Sequence, residues 1–417
     1  MKTKHSTRWM VALNALLVAL LLTPVLMAQS KTLPVDDFDY IIGTQNFSSS
    51  YQFTNKSLLV EGGEQIQTMG SNMIKFVLGP SYAKSRHGVK DPGINSLTDL
   101  AKESDYRQVF EMPFSRYFMW VYSFSTSGKI FPLHGPIPPE VLANEYKEVY
   151  ELTRYLLTTY NGSGKSFFLG SWEGDWQLIA GAQPEIKDME KRRAVDPLPD
   201  SPQAMASWGS TRQRAIDDAK RGTPHKDVQV WYYMETNMVQ KSVRDGRVSV
   251  ASAVIPLVNP DFVSYSAYDS TDPDKADLHT DLPKALDYMQ SRLKPKPGLP
   301  EKRVFIGEFG VPAIHFNPQQ QDTRARDVFA AAIKWGTPFV LYWQLYNNES
   351  ETDGRQRGFW LIDDKGVKQP LYFTYQHFYA DAKLYVADYG KKYHRKPSDK
   401  EFQSYAIQRL TASPAKP

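Results

Sequence analysis

Eight short apolar runs, each followed by turn residues and then by a stretch with helical spacing, restrict the fold of this chain more than any other feature. The runs are Tyr40–Thr44, Met73–Leu78, Tyr117–Phe124, Ser166–Gly170, Val228–Met234, Phe262–Tyr265, Arg303–Gly307 and Pro338–Trp343. They are nearly continuous in hydrophobic residues rather than alternating, which predicts strands buried on both faces of a parallel sheet. Helical periodicity runs through Glu140–Tyr160, Ala206–Arg221, Leu282–Leu293 and Thr323–Trp335. Eight strand–helix alternations over about 350 residues are what a (β/α)8 TIM barrel of the α/β class needs. An open doubly wound sheet would usually carry a glycine-rich first turn, and "GTQNFSSSYQF" at 43–53 is not one. The expected layout is a single barrel domain over 36–390 with a short C-terminal helical extension. The extension is a basic tail over 391–417, in which "SDKE" at 398–401 is a capping box that opens one last short helix. The insertions at 83–116 and 181–203 are too short to form a domain.

The first thirty residues read as a targeting segment. Lys2, Lys4 and Arg8 precede an apolar run from Trp9 to Leu22, and Pro24 and a small-residue end around Ala28 and Ser30 follow. That is the pattern of a secretory signal over 1–30. A retained anchor would usually want about 20 apolar residues. The expectation is therefore a secreted or periplasmic protein, with no membrane association after signal cleavage. There are no cysteines, so an exported chain of this kind uses no disulfides. The formal charge is +4, and Lys2, Lys4 and Arg8 account for three of those charges, which leaves +1. A near-neutral chain without a basic stripe argues against a nucleic-acid partner.

A barrel carries its chemistry at the carboxyl ends of its strands. Strand seven ends in "IGEFG", which sets Glu308 between Gly307 and Gly310. Glutamate is depleted in strands and rarely buried without a partner, so Glu308 stands out. Strand four runs into "GSWEGDW", with Glu173 between Trp172 and Trp176, and Asp175 beside them. Strand five runs into Glu235 and Asn237, strand six into Tyr265, Tyr268 and Asp269, and strand eight into Trp343, Gln344 and Glu349. The rim offers carboxylates and aromatics. It has no GxSxG elbow and no HExxH pair, and the histidines are scattered singly, so neither a metal nor a cofactor is expected. "NGSGKS" at 161–166 lacks the first glycine of a phosphate loop and leads from helix into strand, the reverse of what such a loop requires.

That inventory suits cleavage of a glycosidic bond, which needs one protonated carboxyl group to release the leaving oxygen and one carboxylate to attack the anomeric carbon. Environment separates their proton affinities: an apolar wall raises one, and hydrogen-bond donors hold the other charged. Trp172 and Trp176 would wall Glu173, and Tyr265 or Tyr268 would donate to Glu308. Trp and Tyr also give flat faces on which sugar rings rest.

On these residues the chain resembles the clan-A glycoside hydrolases, the retaining (β/α)8 enzymes that include cellulases, mannanases and β-galactosidases. The resemblance implies Glu173 after strand four as acid/base and Glu308 after strand seven as nucleophile. It also implies Tyr268 as the contact to the nucleophile and Trp343 as the floor of the sugar subsite. Substrate contacts are expected from Trp172, Trp176, Glu235, Asn237, Tyr265, Tyr268, Trp343 and Gln344. Three positions depart from the clan's pattern. Trp172 stands where asparagine usually precedes the acid/base, Ser266 where histidine precedes the tyrosine, and Lys75 where an arginine ends strand two. Asn237 or Gln344 would then take over the sugar 2-hydroxyl. The function expected is a monomeric, secreted retaining hydrolase of a β-linked oligo- or polysaccharide. The alternative is a catalytically silent barrel that binds carbohydrate.

Overall fold

Every one of the apolar runs overlaps a strand: β1 Ile42–Thr44, β2 Met73–Leu78, β3 Arg116–Val121, β4 Lys165–Gly170, β5 Val228–Thr236, β6 Phe262–Ser266, β7 Val304–Phe309 and β8 Val340–Tyr342. The computed structural model describes residues 35–83, 91–126, 130 and 135–412, and the expected signal over 1–30 lies outside them. All pairings are parallel, in the order β1-β8-β7-β6-β5-β4-β3-β2. A parallel bridge from Gln45 to Lys75, with the Asn46 N–H donating to the Lys75 carbonyl at 2.9 Å, closes the circle between β1 and β2. The architecture is a (β/α)8 barrel. Helices sit between the strands, the long ones being Pro139–Thr159, Ser201–Gly222, Leu278–Ser291, Pro318–Trp335 and Pro370–Tyr393.

Strand alternation sorts the side chains into two layers. Met73, Phe118, Phe168, Phe262, Phe305, Phe339 and Leu341 turn inward and fill the barrel. Phe118 and Phe168 stack there, with ring centroids 4.5 Å apart. The interior is thus a packed core that closes the barrel beneath its carboxyl mouth. The intervening residues, such as Ile74, Phe76, Met119, Leu169, Val263 and Ile306, turn outward and pack against the helices.

Local sequence chemistry sets the helix ends. Pro318–Trp335 opens with a capping box between Asn317 and Gln320 and closes on Gly336 in a left-handed conformation. The capping box at Ser398 and Glu401 likewise opens a helix over Asp399–Thr411. This last helix is more than a solvated tail: Phe402, Ala406 and Leu410 are buried, and Phe402 meets Phe38 edge-on at 4.8 Å. Arg326 also donates to the Leu410 carbonyl at 2.6 Å. Among the described residues no helix is long and apolar enough to cross a membrane.

Candidate active site

Glu308 reaches the mouth because β7 carries a bulge. Against β6, Tyr265 pairs with Ile306 but Ser266 pairs with Glu308, so Gly307 is an extra residue. The register with β8 slips over the same stretch. Simple alternation from an inward Phe305 and an outward Ile306 would turn Gly307 inward and Glu308 outward, toward the helices. The extra residue lets Gly307 and Glu308 both serve the inside of the barrel while Ile306 and Phe309 stay in the outer core. The flanking glycines are steric necessities. A Cβ on Gly307 would lie 1.8 Å from Ser264 Oγ, and one on Gly310 would lie 2.6 Å from the Phe359 ring.

The Glu308 side chain is 4 % exposed. Its Oε1 accepts the Tyr268 hydroxyl at 2.9 Å, and its Oε2 has no hydrogen-bond partner among the described residues. Burial, and then the Glu308 charge, raise the Tyr268 phenol well above its ordinary range, so it remains a donor. Glu308 itself is raised well above the usual carboxylate range, first by burial and then by Glu173, against the pull of Lys75 and of the Tyr268 hydroxyl.

Glu173 leaves β4 at the start of the short helix Gly174–Leu178. Its Oε2 accepts the Trp176 indole N–H at 2.7 Å and the Asn237 amide at 3.4 Å. The Arg193 guanidinium lies over the Trp176 ring, 5.0 Å from its centroid. The Glu173 carboxyl group is pushed up to about 8, by burial first and the Glu235 charge second, with Arg193 and the indole N–H opposing. Glu173 and Glu308 are close enough that Glu173's charge is the largest one raising Glu308. Tyr268 senses Glu308, Glu349 and Glu173 together, which puts these acids around one mouth.

Aromatic rings wall one side of that mouth. Trp343 is nearly buried, with its ring 5.4 Å from Phe47 and 6.0 Å from Trp120, and its indole N–H bonds Glu349 at 2.8 Å. The Trp343–Gln344 peptide is cis. Trp172 stands at the lip, 40 % exposed and edge-on to Trp120 at 6.5 Å. Gln344 is buried behind them: its Oε1 accepts the Phe47 N–H at 2.8 Å, and its Nε2 has no partner among the described residues. Trp172, Trp176, Asn237, Tyr268 and Trp343 are therefore gathered around Glu173 and Glu308.

Three expected substrate contacts, the fully buried Gln344 together with Tyr265 and Glu235, are not available to a substrate. Tyr265 turns to the helix side, and its hydroxyl bonds Asp269 and, at 2.5 Å, Ser270. The alternation of β6 sends Ser264 and Ser266 inward and Tyr265 outward, so Tyr268 is the donor to Glu308. Glu235 lies 1 % exposed beneath the mouth, with both oxygens engaged, by Lys75, Ser264 and the Glu173 N–H. Sequence reading missed Trp120, Arg193 and Tyr122, whose hydroxyl accepts the Trp172 N–H at 2.8 Å, and passed over Lys75 as a mere substitute for arginine. A lysine inside a continuous apolar strand was the available signal, because such a residue requires a buried partner.

The chain matches no protein-family profile and no curated protein. Its fold has solved counterparts. A GH5_18 from Bifidobacterium longum subsp. infantis superimposes with a TM-score of 0.53 at 12% identity, over 82% of this chain and 78% of that one. A GH5_18 from Streptomyces cattleya in complex with GlcNAc gives 0.52 at 11% identity, over 89% and 86%. The exo-beta-1,4-mannosidase Op5Man5 from Opitutaceae bacterium strain TAV5 gives 0.54 at 13% identity, over 83% of this chain and 60% of that enzyme. The chain has the (β/α)8 fold that these glycoside hydrolases share.

Proposed function

We propose that this protein is a retaining glycoside hydrolase in which Glu308 attacks the anomeric carbon and Glu173 protonates the leaving oxygen. The observation that carries the reading is the buried, mutually interacting glutamate pair at the carboxyl mouth of the barrel, with one Glu308 oxygen left without a partner. Both carboxyl groups are raised, so the pair keeps a proton in preference to carrying two charges. When that proton sits on Glu173, the charge that most raised Glu308 is gone. Lys75 and the Tyr268 hydroxyl then favour the carboxylate on Glu308. In this state Glu308 Oε2 forms the bond to the sugar as the glycosidic bond breaks, and Glu173 delivers its proton to the departing oxygen. Water then displaces Glu308, and Glu173 takes back a proton as the base. Retention places the two carboxyl groups about 5–5.5 Å apart.

The Trp172, Trp343 and Trp120 faces are suited to sugar rings. The leader-like residues 1–30 support export, and the substrate class is a β-linked oligo- or polysaccharide on which the protein acts as a monomer. The structural neighbours include an exo-β-mannosidase and a complex with Manb1-4GlcNAc, so aryl β-mannosides head the substrates to try. The test is phenol release from a panel of aryl β-glycosides by the wild type and by Glu308→Gln. Turnover of at least one substrate is expected, with a loss of at least about 1,000-fold in the variant whatever the leaving group. Oligosaccharide binding without any turnover would instead identify a silent carbohydrate-binding barrel.

A further inference from the structure

Beneath the two glutamates the barrel core holds a second pair of charges, of which the mechanism above draws only on the Lys75 field at Glu308. Lys75 on β2 and Glu235 on β5 are both 0% exposed in their side chains, and Lys75 Nζ lies 3.0 Å from Glu235 Oε2. Ser264 on β6 donates to the same oxygen at 2.7 Å. Glu235 Oε1 accepts the backbone N–H of Glu173 at 3.0 Å. Lys75 makes its second bond to the Gly307 carbonyl at 2.9 Å, where Gln45 joins at 3.1 Å. Its ammonium also lies 4.6 Å from the Trp120 ring centroid. One ion pair therefore holds the N–H of Glu173 at one end and the carbonyl just before Glu308 at the other.

We infer that the Lys75–Glu235 pair is a positioning device that ties the backbones bearing Glu173 and Glu308 together across the barrel and divides the proton between them. The inference rests on the two-glutamate reading above. Packed apolar side chains of similar volume would hold a barrel core at least as well as a buried ion pair. The charges add direction, because each is aimed at the backbone of one of the two acids. Their fields also act in opposite senses. On Glu173 the raising effect of Glu235 outweighs the lowering effect of Lys75. On Glu308 the lowering effect of Lys75 outweighs the raising effect of Glu235. The pair thus favours the proton on Glu173 and the charge on Glu308. The other charged or titratable groups around these acids are Arg193 acting on Glu173, Tyr268 bonded to Glu308 with Glu349 acting on Tyr268, and Tyr233 below. The bulged Gly307 fits this role, since a Cβ there would sit 3.2 Å from Glu235 Oε2 as well as against Ser264.

The test is carboxyl titration by NMR of protein labelled with carbon-13 at the glutamate side-chain carboxyl, with Glu173→Gln and Glu308→Gln used to assign the two signals. Wild type is compared with Glu235→Gln and with the double variant Lys75→Met/Glu235→Gln, which leaves no buried charge unpaired if a single change impairs folding. In the folded double variant the Glu173 midpoint should fall and the Glu308 midpoint rise, each by about one pH unit. On an aryl glycoside that the wild type cleaves, kcat should fall at least about ten-fold, with KM within about two-fold. Unchanged midpoints in a folded double variant would overturn the inference. The titration needs no substrate. A wild type that cleaves nothing would count against the hydrolase reading and leave the titration result to decide this one.

Discussion

Glu173 and Asp175 are two residues apart and both buried, yet their surroundings differ completely. Asp175 Oδ2 accepts the Thr236 hydroxyl at 2.7 Å and the N–H groups of Asn237 and Met238 at 2.8 and 3.1 Å, and Oδ1 accepts the Val250 N–H at 2.7 Å. It pins the segment after β4 to the end of β5. Glu61 and Glu148 do the same for other rim loops: Glu61 gathers the N–H groups of Phe53 and Thr54, and Glu148 those of Leu97, Phe124 and Ser125. Glu173 has only the indole and a long amide contact on one oxygen, and it faces the like charges of Glu235 and Glu308. A carboxylate surrounded by donors anchors backbone. One that is buried among few donors and other acids keeps a proton to higher pH.

Removing the pin should have the largest effect on stability. Asp175→Ala strands three buried N–H groups, each costing about 1–3 kcal/mol. Chemical denaturation should show a loss of about 3 kcal/mol or more, together with lost activity. Glu173→Gln should act in the opposite direction. The Glu173 carboxyl group is raised from 4.5 to about 8 on folding, so between those values the native state binds the extra proton. Wild-type stability from this group is full below about pH 4.5 and is lost as the pH rises through about 8. The variant should therefore gain on the wild type from pH 5 to pH 9, by at least about 1 kcal/mol across that range. A constant difference across that range would remove the distinction between the two acids. The smallest effect belongs to Trp176→Phe, which deletes a donor that lowers the Glu173 carboxyl group. The alkaline limb of kcat/KM, expected to follow the raised Glu173 carboxyl group, should move upward by a few tenths of a pH unit relative to the wild type.

Much of the fold was legible because parallel barrel strands are apolar throughout: the run Met73–Leu78 coincides with β2, and Glu308 was marked by its own oddity. What stayed hidden depends on chain segments far apart. Lys75 and Glu235 are separated by 160 positions, and nothing local pairs them. The bulge at Gly307 is a single added residue inside a run whose apolar character barely changes, so periodicity passes over it. Tyr265 and Tyr268 look equivalent in "SYSAYDS", and only the inward turn of Ser264 and Ser266 separates them. The β3 run was read through to Phe124, whereas the strand ends at Val121, because aromatic residues continue into the rim loop.

The most direct test of the roles given to the two glutamates is azide rescue on whichever aryl glycoside the wild type cleaves. Glu173→Gln should still form the glycosyl-enzyme from an activated substrate but turn it over slowly, since the returning base is missing. Azide needs no base, so it should raise the rate and yield a glycosyl azide of retained configuration, while Glu308→Gln should show no such retained product. Equal losses in both variants with no azide effect, or a rescued product of inverted configuration from Glu173→Gln, would contradict the assignment.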